Sequence, residues 1–206
     1  MLLAIDTSAG TTVAVVAADG SVRAERNSLD TRKHAEVVGD FIHSVLADAG
    51  IAVTDLTGVV AGMGPGPFTG LRVGIVAARA FAFGAGLPLL PVVTHDALAL
   101  GETEPVVIAT DARRKELYWS TYDGSDAAGL PVLVEGPSLA PAAELAASVP
   151  NFEHFTLRDS APVRAVRLAR LAQLLREHDR AFASEEALYL RSPDVTPSAG
   201  PKRVTA

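Results

Sequence analysis

The chain has 206 residues, 49% hydrophobic, 20% charged and only 5% aromatic, with no cysteine. That excludes a disordered chain, disulfides, thiol catalysis and cysteine-ligated metal or iron–sulfur centres, and the length allows one domain or two small ones. A net charge of −6 excludes bulk electrostatic capture of nucleic acid, so a large RNA would have to be held mainly by a partner. Residues 2–5, 12–18 and 21–27 read as strands, the last two joined by Asp19-Gly20 as a two-residue turn with positive φ. A helix follows over 33–49, with Val37, Val38, Phe41, Ile42, Val45 and Leu46 at helical spacing and Gly50 as its stop. Next come a buried strand at 58–62, a Gly/Pro loop, a helix over 69–83 and a strand at 87–93. No apolar run reaches the roughly 18 residues of a membrane span, and no basic segment precedes the short apolar start, so a cytoplasmic protein is expected.

The order βββαβαβ is that of a ribonuclease-H-like α/β unit. The chain then starts again: LLAIDTSAGTTVAVVAADG, from Leu2, aligns without gaps to VVIATDARRKELYWSTYDG, from Val106, at an offset of 104 residues. Two such units in tandem are the plan of the actin-like ATPase superfamily. The expectation is an α/β protein of two lobes, residues 1–103 and a reduced 104–192, with 193–206 as a flexible tail. Within the second lobe, 129–150 is rich in Pro, Ala and Gly, 163–176 reads as a helix and 187–191 as strand-like.

GMGPGPFTGLRVG, from Gly62, runs a glycine loop into a helix start, which could offer free N–H groups to an anion. It lacks the Gly-Lys-Ser/Thr of a P-loop, and Pro65 and Pro67 break the dinucleotide fingerprint. The alternative is a tight strand-to-helix connection built by Gly64, Pro65, Gly66 and Gly70, with Thr69 as cap.

Taken in order, MLLAIDTSAGTTVAVV, HAEVV, GMGPGPFTGLRVGIVAARAFAFGAGLPLLPVVTHDALA, DARRKELYWSTYD and YLR resemble the bacterial TsaB (YeaZ) family, closely up to about Asp123 and faintly beyond. The resemblance implies a non-catalytic subunit of the machinery that makes threonylcarbamoyladenosine in tRNAs reading codons that begin with A. It implies pairing with the catalytic paralogue TsaD and the ATPase TsaE, tRNA contact only through that ATP-dependent complex, and a homodimer when alone. A stand-alone ATPase or small-molecule kinase is the alternative function.

The superfamily presents its first hairpin to metal and phosphates, and here Asp6, Thr7, Ser8, Gly10 and Thr11 could retain phosphate binding. The second hairpin instead carries Arg113, Arg114 and Lys115 where small residues are needed, so the nucleotide site reads as incomplete and no cofactor is expected on this chain. The paralogue's His-x-x-x-His metal pair is broken here: His95 keeps the first position and Ala99 takes the second. A lone histidine of this kind reads as a surface or interface residue, and neither a catalytic residue nor a metal site is expected.

What remains is surface. The helix over 69–83 is apolar nearly all round, broken only by Arg72 and Arg79, and that over 33–49 has two adjacent apolar stripes, more than one core requires. The family pairs through these helices, which makes His34, Val38, Phe41, Ile42, Val45, Phe68, Leu71 and Ile75 the expected partner seam, with Arg72 and Arg79 as polar anchors.

Overall fold

The computed structural model describes residues 1–159 and 162–191, so the expected tail at 193–206 lies outside the described residues. Strands β1 (Leu2–Asp6), β2 (Thr11–Val16) and β3 (Val22–Ser28) form a meander, followed by α1 (His34–Ala49), β4 (Gly58–Gly62), α2 (Phe68–Ala85), β5 (Leu89–Val92) and α3 (Thr94–Ala99). The second half holds β6 (Pro105–Asp111), β7 (Glu116–Ser125), β8 (Pro131–Pro141), α4 (Leu145–Ser148), β9 (Thr156–Asp159) and α5 (Ala165–Glu177). One sheet has the order β3-β2-β1-β4-β5 and the other β8-β7-β6-β9. In each, an antiparallel meander is joined to a parallel strand: β4 beside β1, β9 beside β6. These are two tandem ribonuclease-H-like units, the second one strand smaller.

Alternation along the strands sorts the core into layers. Leu3 and Ile5 of β1 pack with α1 and α2, while Leu2 and Ala4 point the opposite way into a cluster shared with α3, α5 and Val106 and Ile108 of the second sheet. The far face of that sheet carries a small cluster around Val107, Trp119 and Leu145. Helix α5 follows the second sheet in sequence yet packs Leu168 and Ala169 in the same cluster as Ala14, Val16 and Val60 of the first. Ala165 N donates to Thr12 Oγ1 at 3.0 Å, and the Gln173 amide donates to Ala17 O at 2.7 Å. The helix expected within the smaller lobe therefore covers the larger one.

Several local expectations are corrected. The β2–β3 turn closes between Ala17 and Ser21, a three-residue loop in which Gly20 takes φ 79° and Asp19 does not take a positive φ. The 11-residue β8 was hidden in the Pro-rich stretch, because Pro131, Pro137 and Pro141 break a strand pattern. It survives as an edge strand, where a missing N–H costs little. Residues 187–191 form no strand. In the repeat, Asp6 faces Thr12 across β1–β2 and Asp111 faces Leu117 across β6–β7, one residue out of step with the offset of 104. Each aspartate is nevertheless the last residue of the first strand of its hairpin. Pro67 precedes α2, and no side chain caps it, so Thr69 does not act as cap.

Candidate functional site

The first hairpin is turned inward. Asp6 Oδ1 accepts from Ser8 N at 2.7 Å and Ser8 Oγ at 2.6 Å, and Oδ2 accepts from Thr94 Oγ1 at 2.6 Å. Burial raises its pKa, against the opposing pull of those hydrogen bonds and of His34. Thr94, absent from the sequence-level candidates, also accepts from Gly64 N and donates its backbone N–H to Gly64 O. Thr7 Oγ1 donates to Gly70 O at 2.7 Å and accepts from Gly74 N at 2.9 Å, which ties the hairpin to α2. Gly10 takes φ 138° beside Ser28 O, and Thr11 Oγ1 lies 2.8 Å from His34 Nδ1. Four of the five candidate phosphate-binding residues thus spend side-chain atoms on internal contacts, and the fifth is glycine. Asp6, 1% exposed, has both oxygens accepting hydrogen bonds from within the chain.

The glycine loop is built by contact. A Cβ on Gly66 would meet Ser8 Cα at 2.9 Å, and one on Gly70 would meet His34 Nε2 at 2.9 Å. Gly64 holds φ 93° and is joined to Pro65 by a cis peptide. Thr69 faces the cleft that separates this loop from the second hairpin, a space of about 800 Å³ also lined by Ser8, His34, Arg113, Arg114 and Arg191. There Arg113 pairs with Asp111 at 3.5 Å and donates to Thr31 Oγ1. Arg191 pairs with Glu116 and donates to Ala112 O at 3.1 Å. Residues 113–115 all adopt positive φ, between 54° and 67°, a run of left-handed backbone that sequence reasoning did not anticipate.

His95 is fully buried rather than at the surface. Its Nδ1 lies 2.8 Å from Ser120 Oγ and its Nε2 2.9 Å from Thr110 Oγ1, and desolvation lowers its pKa to about 3. Ala99, one helical turn on, is buried as well.

The partner seam is rearranged. Val38, Val45, Leu71 and Ile75 face the chain's own core, and His34 forms part of the cleft floor; these five are corrected as seam residues. Phe41 and Ile42 are half-buried against the same core. The outward positions of α2 include Arg72, Val76, Arg79 and Phe83, with Val76 60% and Phe83 91% exposed, two residues the sequence reading missed. Beside them runs a strap of residues 183–191. Ala183 N donates to Pro91 O, Leu188 N donates to Met63 O, and the Tyr189 ring lies 4.8 Å from Phe68. Arg72 lies 3.9 Å over the Phe68 ring and donates to Tyr189 Oη, while Arg79 donates to Glu185 O. Both arginines are therefore already engaged within the chain. By length and a mean hydropathy of 1.3, α2 could cross a membrane. A buried face made by Leu71, Ile75, Ala78 and Ala82 instead packs it onto the first sheet.

Residues 21–131 match the sequence model of the family described as TsaD, tRNA N6-adenosine threonylcarbamoyltransferase. An uncharacterized Mycobacterium tuberculosis protein is 38% identical over 206 residues, 96% of this chain and 95% of that protein. The Escherichia coli tRNA threonylcarbamoyladenosine biosynthesis protein TsaB is 36% identical over 126 residues, 59% of this chain and about half (54%) of that protein. Among solved structures, an uncharacterized Pseudomonas aeruginosa protein described as similar to peptidase YEAZ superposes with a TM-score of 0.75 at 26% identity, covering 92% of this chain and 99% of that one.

Proposed function

The chain belongs to the TsaB (YeaZ) family, and from that premise we propose that it is a non-catalytic scaffold subunit in the synthesis of threonylcarbamoyladenosine in tRNA. In this reading the first lobe, 1–103, carries the pairing surface, and the partner is a TsaD-type transferase, with a TsaE-type ATPase completing an ATP-dependent cytoplasmic complex. Without them the chain pairs with itself, and tRNA is met only through the complex, as suits a charge of −6. The observation that carries the reading is the outer face of α2. Val76 and Phe83 stand in water about two helical turns apart on the outer face of α2, large apolar side chains of the kind that mark interaction surfaces. The match to the transferase model does not make this chain the transferase. In support of the non-catalytic reading, His95 spends both ring nitrogens on hydroxyls in a buried site, and Asp6 accepts from Ser8 and Thr94.

Co-purification with the transferase paralogue of the same source tests this. Val76→Asp and Phe83→Asp alter exposed positions, so folding should persist while the complex and its tRNA modification are lost. A complex that survives both substitutions removes the α2 surface from the proposal, and tRNA modification by this chain alone overturns the non-catalytic role.

A further inference from the structure

A cavity of about 390 Å³ opens where α3, α5 and the start of β8 meet, and it shares no lining residue with the hairpin cleft or with the outer face of α2. The scaffold role makes no use of it. Its walls come from distant parts of the chain: Val92 ends β5, Leu130 precedes β8, Leu171 and Leu175 lie on α5, and Phe182 follows that helix. A chain reversal brings Phe182 there. Asp179 takes φ 50°, Arg180 N donates to Leu175 O at 2.8 Å, and Ala183 N donates to Pro91 O at 3.1 Å. All five walls are apolar and suit an apolar body.

Three charged residues line the same space, and two of them cancel. Asp126 Oδ2 accepts from Arg180, while its Oδ1 accepts from Ala128 N at 2.8 Å and Leu130 N at 3.0 Å in the turn before β8. Asp96 of α3 is left over. Its Oδ1 accepts from the buried Tyr122 hydroxyl at 2.7 Å, whereas Oδ2 accepts no hydrogen bond from any described residue and is not sealed from solvent. Accepting from Tyr122 needs only a carbonyl oxygen, which Asn would supply without a charge. An ionised carboxylate with one bare oxygen against apolar walls is costly to hold unless a cation meets it. Burial accordingly raises the Asp96 pKa, and the Tyr122 hydrogen bond alone opposes that rise.

We propose that this cavity binds a small primary monoamine as its ammonium ion, which donates to Asp96 Oδ2 while the hydrocarbon body lies against Leu171, Leu175 and Phe182. The ligand brings one positive charge to the one uncompensated carboxylate, and a charge-assisted hydrogen bond of this kind is stronger than a neutral one. The same count sets the valence. A second ammonium on the ligand would be met by Asp126, which Arg180 already neutralises. The cavity is at the small end of ligand sites, which suits a short chain or a single ring.

Isothermal titration of the full chain at neutral pH with n-pentylamine, n-pentanol and cadaverine tests the proposal. The monoamine should bind saturably, and the alcohol and the diamine should each bind at least about tenfold more weakly. Asp96→Asn keeps an acceptor for Tyr122, so the thermal midpoint should hold while the monoamine loses about tenfold or more. On the native chain, the methyl resonances of Leu171 and Leu175 should shift with n-pentylamine. Should the variant unfold, those shifts and the comparison of amine with alcohol decide the matter without it. The proposal is overturned by an absence of saturable binding up to about 10 mM, the weak end of specific recognition. Binding that a folded Asp96→Asn retains, that n-pentanol or cadaverine matches, or that leaves both leucines unshifted overturns it equally.

Discussion

His95 sits between Thr110 and Ser120 with no solvent contact, and its pKa of about 3 has a consequence for acid stability. The unfolded chain takes up a proton on this residue below about pH 6.5, whereas the native chain does not until about pH 3. Stability therefore falls as pH falls through that window, by about 1.4 kcal/mol per unit for one proton. Urea midpoints measured between about pH 7 and about pH 4 check this, and His95→Asn, weaker at neutral pH, should lack this component of the slope. Asp6 and Asp96, whose pKa values burial raises, act in the opposite sense in both proteins and drop out of the comparison. The sequence offered His95 as half of a broken metal pair. Its hydroxyl partners lie on β6 and β7, joined to it by no periodic pattern, so the buried role was illegible. Thr94, which holds Asp6 across 88 residues of sequence, was missed for the same reason.

At the scale of the element, the two long helices each carry an interior glycine that a helix would otherwise do better without, and the two differ in what surrounds them. A Cβ on Gly74 would lie 2.3 Å from Thr7 Oγ1, so Gly74→Ala must push the hairpin off the helix and should lower stability by about 1–3 kcal/mol, read from the denaturant midpoint. Gly39 in α1 has nothing within 4 Å of the same atom, and Gly39→Ala should raise stability by about 0.5–1 kcal/mol. The helices, the αL stop at Gly50 and the Gly58–Gly62 strand follow from periodicity and punctuation, whereas α2 runs two residues past its expected end to an αL stop at Gly86. Which side of an all-apolar helix faces inward does not follow. The first sheet makes that choice, taking Leu71 and Ile75 and leaving Val76, one position on, in water. Residues 187–191 of the strap were misread as a strand because Ala187 to Leu190 form a short, mostly apolar run. The strap is held by single backbone bonds and by the Tyr189–Phe68–Arg72 stack.

The whole molecule is two sheets around one shared cluster, in which Leu2 and Val60 of the first sheet and Val106 and Ile108 of the second belong with α3 and α5. Arg167 of α5 reinforces this by donating to the carbonyls of Ala97, Leu98 and Leu100. Neither sheet can lose that layer without exposing the other, so calorimetric unfolding should show one transition whose van't Hoff and calorimetric enthalpies agree. The duplicated plan was legible because hairpin alternation and turn length survive sequence change. The return of α5 to the first sheet was not, since nothing local to an amphipathic helix says which sheet it will cover.

That return also sets an order of events during synthesis. The inner face of the first sheet is complete in β1, β2, β4 and β5 by Val92, yet its cover, from Val166 to Ala172, is translated only after the second sheet. On the ribosome the nascent chain must carry an unroofed apolar sheet through more than seventy residues of further elongation, from Val92 to Val166. A message truncated before α5 would release a product with that sheet bare, a natural client for chaperones and proteases.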